Sequence, residues 1–232
     1  MPAPEAPRRP KTLAAHGDER IDPWWWLRSD DRSDPEVLAH LEAENAFTTS
    51  LLAHTEGLQE SLFQEIKARI KETDLSVPYR KGRRWFYSRT EEGKQYPILC
   101  RTLQEPPLGL AEGAPMPGEE VLLDLNVLAG AGDYFALGAF DLAPGQDLLL
   151  YSTDHDGSEQ YTMRVRDLRT GEELDDAIEG TTYGSAWAGD GVFFYVRNDE
   201  SMRPFQVWRH AVGSPTADDV LVFEETDERF FV

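Results

Sequence analysis

The chain has 232 residues, 40% of them hydrophobic and 11% aromatic, with 23 Lys and Arg against 43 Asp and Glu for a formal charge of −20. That is enough apolar chain for one large domain or two small ones, and it argues against wholesale disorder. The acidic balance argues against nucleic acid or an anionic membrane surface as partner, because phosphate binding needs clustered Lys and Arg, and the basic runs at 8–11 and 80–84 are too short to supply them.

Residues 1–12 are rich in proline and read as a flexible or draped arm. They hold no apolar core of a signal peptide, and no run approaches the roughly 18 apolar residues of a membrane helix, so a cytoplasmic protein is expected. Trp24, Trp25 and Trp26 are adjacent and cannot all face one way, which requires at least one of them to anchor this segment on another surface. Asp34-Pro35-Glu36 is a helix start, with an acceptor side chain, a proline for the first turn and an acid at the positive dipole end. The spacing predicts a helix to about residue 54, burying Val37, Leu38, Leu41, Phe47, Leu51 and Leu52. A second helix from about Glu56 carries Leu58, Leu62, Phe63, Ile66 and Ile70 on one face, with Glu65 and Arg69 spaced for an ion pair. Pro78 closes the helical region.

Everything after it reads as strands separated by Gly, Pro, Asp and Asn clusters. Three hairpins share one design. Phe86-Tyr87-Ser88-Arg89 leads to Tyr96-Pro97-Ile98-Leu99, Leu150-Tyr151-Ser152-Thr153 leads to Tyr161-Thr162-Met163-Arg164, and Phe194-Tyr195-Val196-Arg197 leads to Phe205-Gln206-Val207-Trp208. The second and third repeat at about 44 residues, the length of a four-stranded propeller blade, and inner-strand candidates precede them at 136–140 and 184–187. The first interval is longer, and its surplus falls in the Pro/Gly-rich stretch 105–118, read as a surface insertion. Three blades cannot close a propeller, which takes at least about four, so the chain is expected to be the front portion of a longer protein.

Chemistry is sparse. Cys100 is the single cysteine, which excludes an internal disulfide framework, and its place in Ile98-Leu99-Cys100 reads as a buried, inert thiol. No Gly-x-Ser-x-Gly nucleophile turn is present; Gly184-Ser185 and Gly213-Ser214 read as turn residues. The five histidines show no metal-ligand spacing, and His54 suits the negative end of the first helix. The stretch from Ser152 to Gly157 fails as a calcium loop, because its twelfth position is Met163 and not a carboxylate; it reads as a hairpin turn with Asp156 and Gly157 left-handed. The acidic runs at 172–176 and 224–228 read as solvated turns and edges, with the lining of a vestibule for cationic peptides as the alternative. No cofactor and no metal is expected.

Two segments resemble a known family. His16-Gly17-Asp18-Glu19-Arg20-Ile21-Asp22 followed by Trp26-Leu27-Arg28-Ser29-Asp30-Asp31-Arg32 is similar to the N-terminal signature of the oligopeptidase B branch of the prolyl oligopeptidase family. Pro204-Phe205-Gln206-Val207-Trp208-Arg209-His210 with Gly213 resembles a propeller strand and turn of the same enzymes, and Asp154, Gly157, Glu159 and Tyr161 resemble a hairpin shared more widely among them. The resemblance implies a cytosolic serine peptidase that cleaves short peptides after Arg or Lys. It further implies an α/β-hydrolase domain carrying Ser, Asp and His, and a seven-bladed propeller that restricts substrate size. On that reading residues 1–75 are the arm and helices that pack with the hydrolase domain, and 76–232 are about three blades of an incomplete propeller. The hydrolase domain is missing from these residues, so no catalytic or substrate-binding residue carries over. Asp133 matches an acidic family position that looks towards the interface between propeller and hydrolase domain, where it would pair with a basic group. The competing reading is a non-catalytic propeller that binds peptides or another protein.

Overall fold

The computed structural model describes residues 2–107 and 113–232. The chain divides into two compact units, Met1–Lys71 and Glu72–Val232.

In the first unit the Pro-rich arm is draped and not free. The Arg9 N–H donates to the Pro23 carbonyl at 2.7 Å, and the Trp26 indole N–H donates to the Pro7 carbonyl at 2.8 Å. Cations from the arm lie over the three indoles: Arg8 over Trp24, Arg9 over Trp26 at 4.7 Å, and Lys11 over Trp25 at 4.1 Å. Next comes a hairpin that the sequence pattern did not reveal, β1 (Lys11–Ala15) against β2 (Asp18–Asp22). Its two-residue turn is His16–Gly17 with φ of 53° and 80°, the left-handed pair that a tight hairpin requires. Helix α1 (Pro35–Leu52) starts as expected, with Asp34 Oδ1 accepting from the Glu36 N–H at 2.8 Å and the Val37 N–H at 3.3 Å. After one tight turn in which His54 Nδ1 meets the Leu51 carbonyl at 3.0 Å, helix α2 (Glu56–Lys67) follows, and Arg69 pairs with Glu65. Ile70 lies in the turn beyond α2.

The burial expected of the α1 residues is corrected, whereas the apolar face of α2, for which no burial was expected, stands exposed. Only Val37 of the set is buried, whereas Leu51 is 60% exposed and Phe63 59%, with Leu38, Leu41, Leu52, Leu58, Leu62, Ile66 and Ile70 also exposed. A hairpin and two helices offer no second layer to cover both apolar stripes.

Among the described residues the second unit holds three antiparallel sheets. The first contains β3 (Asp74–Leu75), β4 (Tyr79–Lys81), β5 (Arg84–Thr90), β6 (Ile98–Thr102) and β7 (Glu120–Asp124), with both β3 and β4 paired to β5. A short helix α3 (Leu125–Ala129) leads to the second sheet: β8 (Ala136–Leu142), β9 (Leu148–Asp154), β10 (Tyr161–Asp167) and β11 (Glu172–Thr181) in sequential order. The third holds β12 (Ser185–Trp187), β13 (Val192–Asn198), β14 (Pro204–Ala211) and β15 (Val220–Glu224), again in order. These are three propeller blades. The predicted hairpins are β5–β6, β9–β10 and β13–β14, with Tyr87 opposite Cys100, Tyr151 opposite Arg164 and Tyr195 opposite Trp208. The inner-strand candidates are β8 and β12, so Ser185 is a strand residue and not the turn residue expected of it.

The blades are held by apolar seams. Adjacent residues of β9 point to opposite faces, so Leu149 joins Phe86, Leu122, Leu123 and Phe135 in one cluster while Leu150 joins Met163, Ile178, Phe193 and Tyr195 in the next. Both leucines are fully buried, which explains the apolar run Leu148-Leu149-Leu150-Tyr151 that opens β9. A third cluster, Tyr87, Ile98, Cys100 and Met116, covers the other face of the first blade. Of the stretch read as a surface insertion, residues 108–112 lie outside the described residues, and Met116 within it is buried.

Candidate interdomain face

The start of β8 pairs with the end of β9, Ala136 opposite Asp154, so the loop feeding each inner strand and the tip of the following hairpin share one end of the blade. This gathers the Asp133-Tyr134 bend, the 155–160 tip, the 182–184 turn and the 199–203 tip. A cleft of about 340 Å³ opens there between the second and third blades, lined by Glu159, Tyr161, Thr182, Tyr183, Asn198 and Met202.

Carboxylates build the tips. Buried Asp154 accepts from the Asp156, Gly157 and Glu159 N–H groups, all at 2.9 Å. The left-handed residues of this tip are Gly157 and Glu159, with φ of 79° and 60°; Asp156, expected in that role, instead caps the Ser158 N–H at 3.0 Å. Asp199 accepts from the Ser201 and Arg203 N–H groups and from Arg203 Nε at 2.9 Å, and the Arg203 N–H followed by its guanidinium holds the Asp199 carboxyl below its ordinary range. The Ser158 hydroxyl and N–H do the same for Asp156. Tyr134 and Tyr183 stand exposed beside these acids. Asp133 is exposed on its bend and makes no ion pair among the described residues. Acids and exposed phenols suit contact with cationic groups, Arg above all.

The same residues hold no acyl-transfer machinery. Among the described residues no Ser or Cys hydrogen-bonds a His, and no group of three or more His, Cys, Asp and Glu is placed to hold a metal ion. Ser214 closes a turn by donating to the Ala211 carbonyl at 2.7 Å. Cys100 is buried as read, and burial pushes its thiol up to about 12.

Sequence reasoning missed one cluster. Asp176, read as part of a solvated acidic run, is buried against His210, which is itself fully enclosed and bonded to Asp219. The signal was the strand period: Asp176 and Ile178 fall on one face of β11, and that face is buried.

A family model described as "Prolyl oligopeptidase, N-terminal beta-propeller domain" matches residues 4–232. The chain belongs to the prolyl oligopeptidase family. Among curated members it is 38% identical over 238 residues to dipeptidyl aminopeptidase BI of Pseudoxanthomonas mexicana and 36% identical over 233 residues to Protease 2 of Moraxella lacunata. Each alignment covers 99% of this chain and 33% of the relative, so the chain spans about a third of the length of these family members. Among solved structures, oligopeptidase B from Leishmania major superimposes with a TM-score of 0.86 at 31% identity, and oligopeptidase B from Trypanosoma brucei with 0.84 at 34%. Both cover 97% of this chain and 33% of the other. The three blades and the helices before them are therefore the N-terminal part of a prolyl oligopeptidase fold.

Proposed function

We propose that this chain is the N-terminal and propeller portion of a serine oligopeptidase, an endopeptidase that hydrolyses short peptides after Arg or Lys, and that the propeller gates substrate size. The observation that carries this reading is the superposition of almost the whole chain on oligopeptidase B at a TM-score of 0.86. The reaction is acyl transfer by a Ser activated by His and oriented by Asp, all supplied by an α/β-hydrolase domain outside these residues. The chain's own part is to admit short peptides, exclude folded ones and keep solvent from the reacting centre. Two surfaces support the docking of that domain: the apolar stripe of α2, carried by Leu58, Leu62, Phe63 and Ile66, and the blade end that carries Asp133, which pairs there with a basic group. A cytoplasmic setting belongs to the same reading, supported by a lone buried thiol that forms no disulfide.

The 38% identity to a dipeptidyl aminopeptidase favours a second reading, release of dipeptides from the peptide N-terminus. The gene's complete translation product separates the two. Internal cleavage of short peptides after Arg or Lys, abolished by a serine-directed fluorophosphonate, is expected; stepwise dipeptide release supports the second reading. The absence of any fluorophosphonate-sensitive cleavage overturns both in favour of a non-catalytic binding module. The 232-residue chain alone is expected to leave benzoyl-arginyl amides intact. In the active product, Asp133→Asn is expected to lower activity and flatten its salt dependence; unchanged values remove Asp133 from the interface.

A further inference from the structure

The seam between the second and third blades contains a buried charged cluster that the interdomain face does not use. His210 on β14 is 0% exposed. Its Nε2 lies 2.7 Å from Asp176 Oδ1 on β11, and its Nδ1 lies 2.6 Å from Asp219 Oδ1, just before β15. With both carboxyls ionised their oxygens only accept, and a neutral imidazole has one N–H, so the two bonds together then take both ring nitrogens protonated. The surrounding groups agree with a central cation. The Tyr195 hydroxyl donates to Asp219 Oδ2 at 2.8 Å, the Gly213 N–H donates to Asp176 Oδ1 at 2.6 Å, and the Phe193 ring lies 5.0 Å from the imidazole. Among the described residues Asp176 Oδ2 has no hydrogen-bond partner, which leaves the imidazolium as the charge that offsets this buried carboxylate.

We propose that His210 is charged at neutral pH and acts as an ionic fastener that makes the second and third blades one rigid body. Separating these blades would break the His210–Asp176 pair and leave the Asp176 carboxylate without its cation while His210 keeps only Asp219, a far larger penalty than sliding apolar surfaces apart. The seam between the first and second blades is built differently. Arg166 Nη1 and Arg101 Nη1 reach main-chain carbonyls there, of Leu122 at 3.0 Å and Gln146 at 2.6 Å, over a cluster of Leu and Phe side chains. Any opening of the blades is thereby directed away from the second seam. That consequence for peptide entry rests on the lid reading, whereas the fastener itself does not.

The 232-residue chain, labelled with 15N on histidine, tests it. Both His210 ring nitrogens are expected at imidazolium shifts at neutral pH; a neutral tautomer overturns the proposal. In His210→Gln the Gly213 amide is expected to exchange with deuterium at least about tenfold faster, with the Leu99 amide in the first blade unchanged. Equal Gly213 rates, or equal loosening of both blades, count against the fastener. Should that variant fail to fold, Asp176→Asn, which retains an acceptor for His210 and removes the charge, is read by the same exchange and is expected to move Gly213 in the same direction. An inactive translation product would leave these outcomes intact, so the fastener and the peptidase reading fail separately.

Discussion

Gly138 on β8 has no room for a methyl group. A Cβ built there would stand 2.6 Å from Ser152 Oγ and 2.7 and 2.8 Å from two carbons of the Tyr161 ring, against the roughly 3.5–4.0 Å at which carbons pack. Its φ is not left-handed, so the constraint is space and not backbone. The pairing of β8 with β9 shifts register between Leu137 and Phe140, and within that irregularity the fully buried Ser152 Oγ accepts the Ala139 N–H at 2.8 Å. Gly138→Ala must therefore displace Ser152 and Tyr161 together. Overpacking of this kind costs about 1–3 kcal/mol. Loss of the Ala139 bond adds about 1 kcal/mol. At about 2–4 °C per kcal/mol for a unit of this size, Tm should fall by roughly 4–16 °C. Gly191→Ala is the control: nothing lies within 4 Å of its Cβ and its φ is ordinary, so it should be neutral or stabilise by about 0.4–1 kcal/mol. Thermal melts and urea midpoints of both variants decide the matter, with near-ultraviolet dichroism reporting the Tyr161 environment. A Gly138→Ala protein that melts within about a degree of the parent would refute the steric argument.

In α2, Gly57 meets nothing within 4 Å, so Gly57→Ala should raise helix stability by about 0.8–1 kcal/mol, read as a higher melting midpoint in far-ultraviolet dichroism; a lower midpoint contradicts the open surface. Cys100 should resist thiol reagents until the chain unfolds. Because its folded value of about 12 lies above the ordinary 9.0, stability should hold below pH 9 and fall as pH rises towards 12, with Tyr151 adding to the fall above its ordinary 10.0. Cys100→Ala should flatten the part of that decline that begins near 9, and an unchanged slope would assign it elsewhere. The Arg169 guanidinium and N–H hold the Asp167 carboxyl down at about 2, so its contribution is present above the ordinary 3.8 and lost as pH falls through about 2. In Arg169→Ala the Asp167 midpoint, followed by carboxyl NMR, should rise towards the ordinary range; a midpoint that stays put would show that the backbone N–H groups suffice.

The blades were legible because their central strands are sandwiched. A strand covered on both faces must be apolar and aromatic along most of its length, and β9 and β13 announce themselves that way. The β1–β2 hairpin sent no such signal, since its residues are exposed on both sides and show no alternation to detect. The 155–160 tip was recognised as a turn but misassigned within it. Three N–H groups converge on Asp154, and that convergence, which lies outside local propensity, decides that Glu159 and not Asp156 takes the left-handed conformation. In α2 the period marks one apolar face, and that face is exposed; in α1 the burial expected of Leu38, Leu41, Leu51 and Leu52 was not met, because spacing reports which face a residue occupies and is silent on what covers it.

The charge of −20 can be resolved in the same terms. Many of the carboxylates that produce it are already engaged inside the blades. Asp154 and Asp199 hold hairpin tips, Glu119 and Glu120 serve Arg89, Arg84 and Arg101, and Asp176 with Asp219 encloses His210. A carboxylate bonded to its own cation or main chain contributes little to the field a peptide meets on approach. At the hairpin end of the second and third blades the acids left facing solvent include Asp133, Asp156, Glu159 and Glu200, next to Tyr134 and Tyr183. Attraction of a cationic peptide or of a basic domain surface therefore depends on these few positions and not on composition, and it should weaken with salt as exposed charges do. Neutralising Asp133, Asp156 and Glu159 together should accordingly reduce the salt dependence of activity in the complete translation product far more than neutralising an equal number of acids at 172–175, and an equal effect from the two sets would return the explanation to net charge alone.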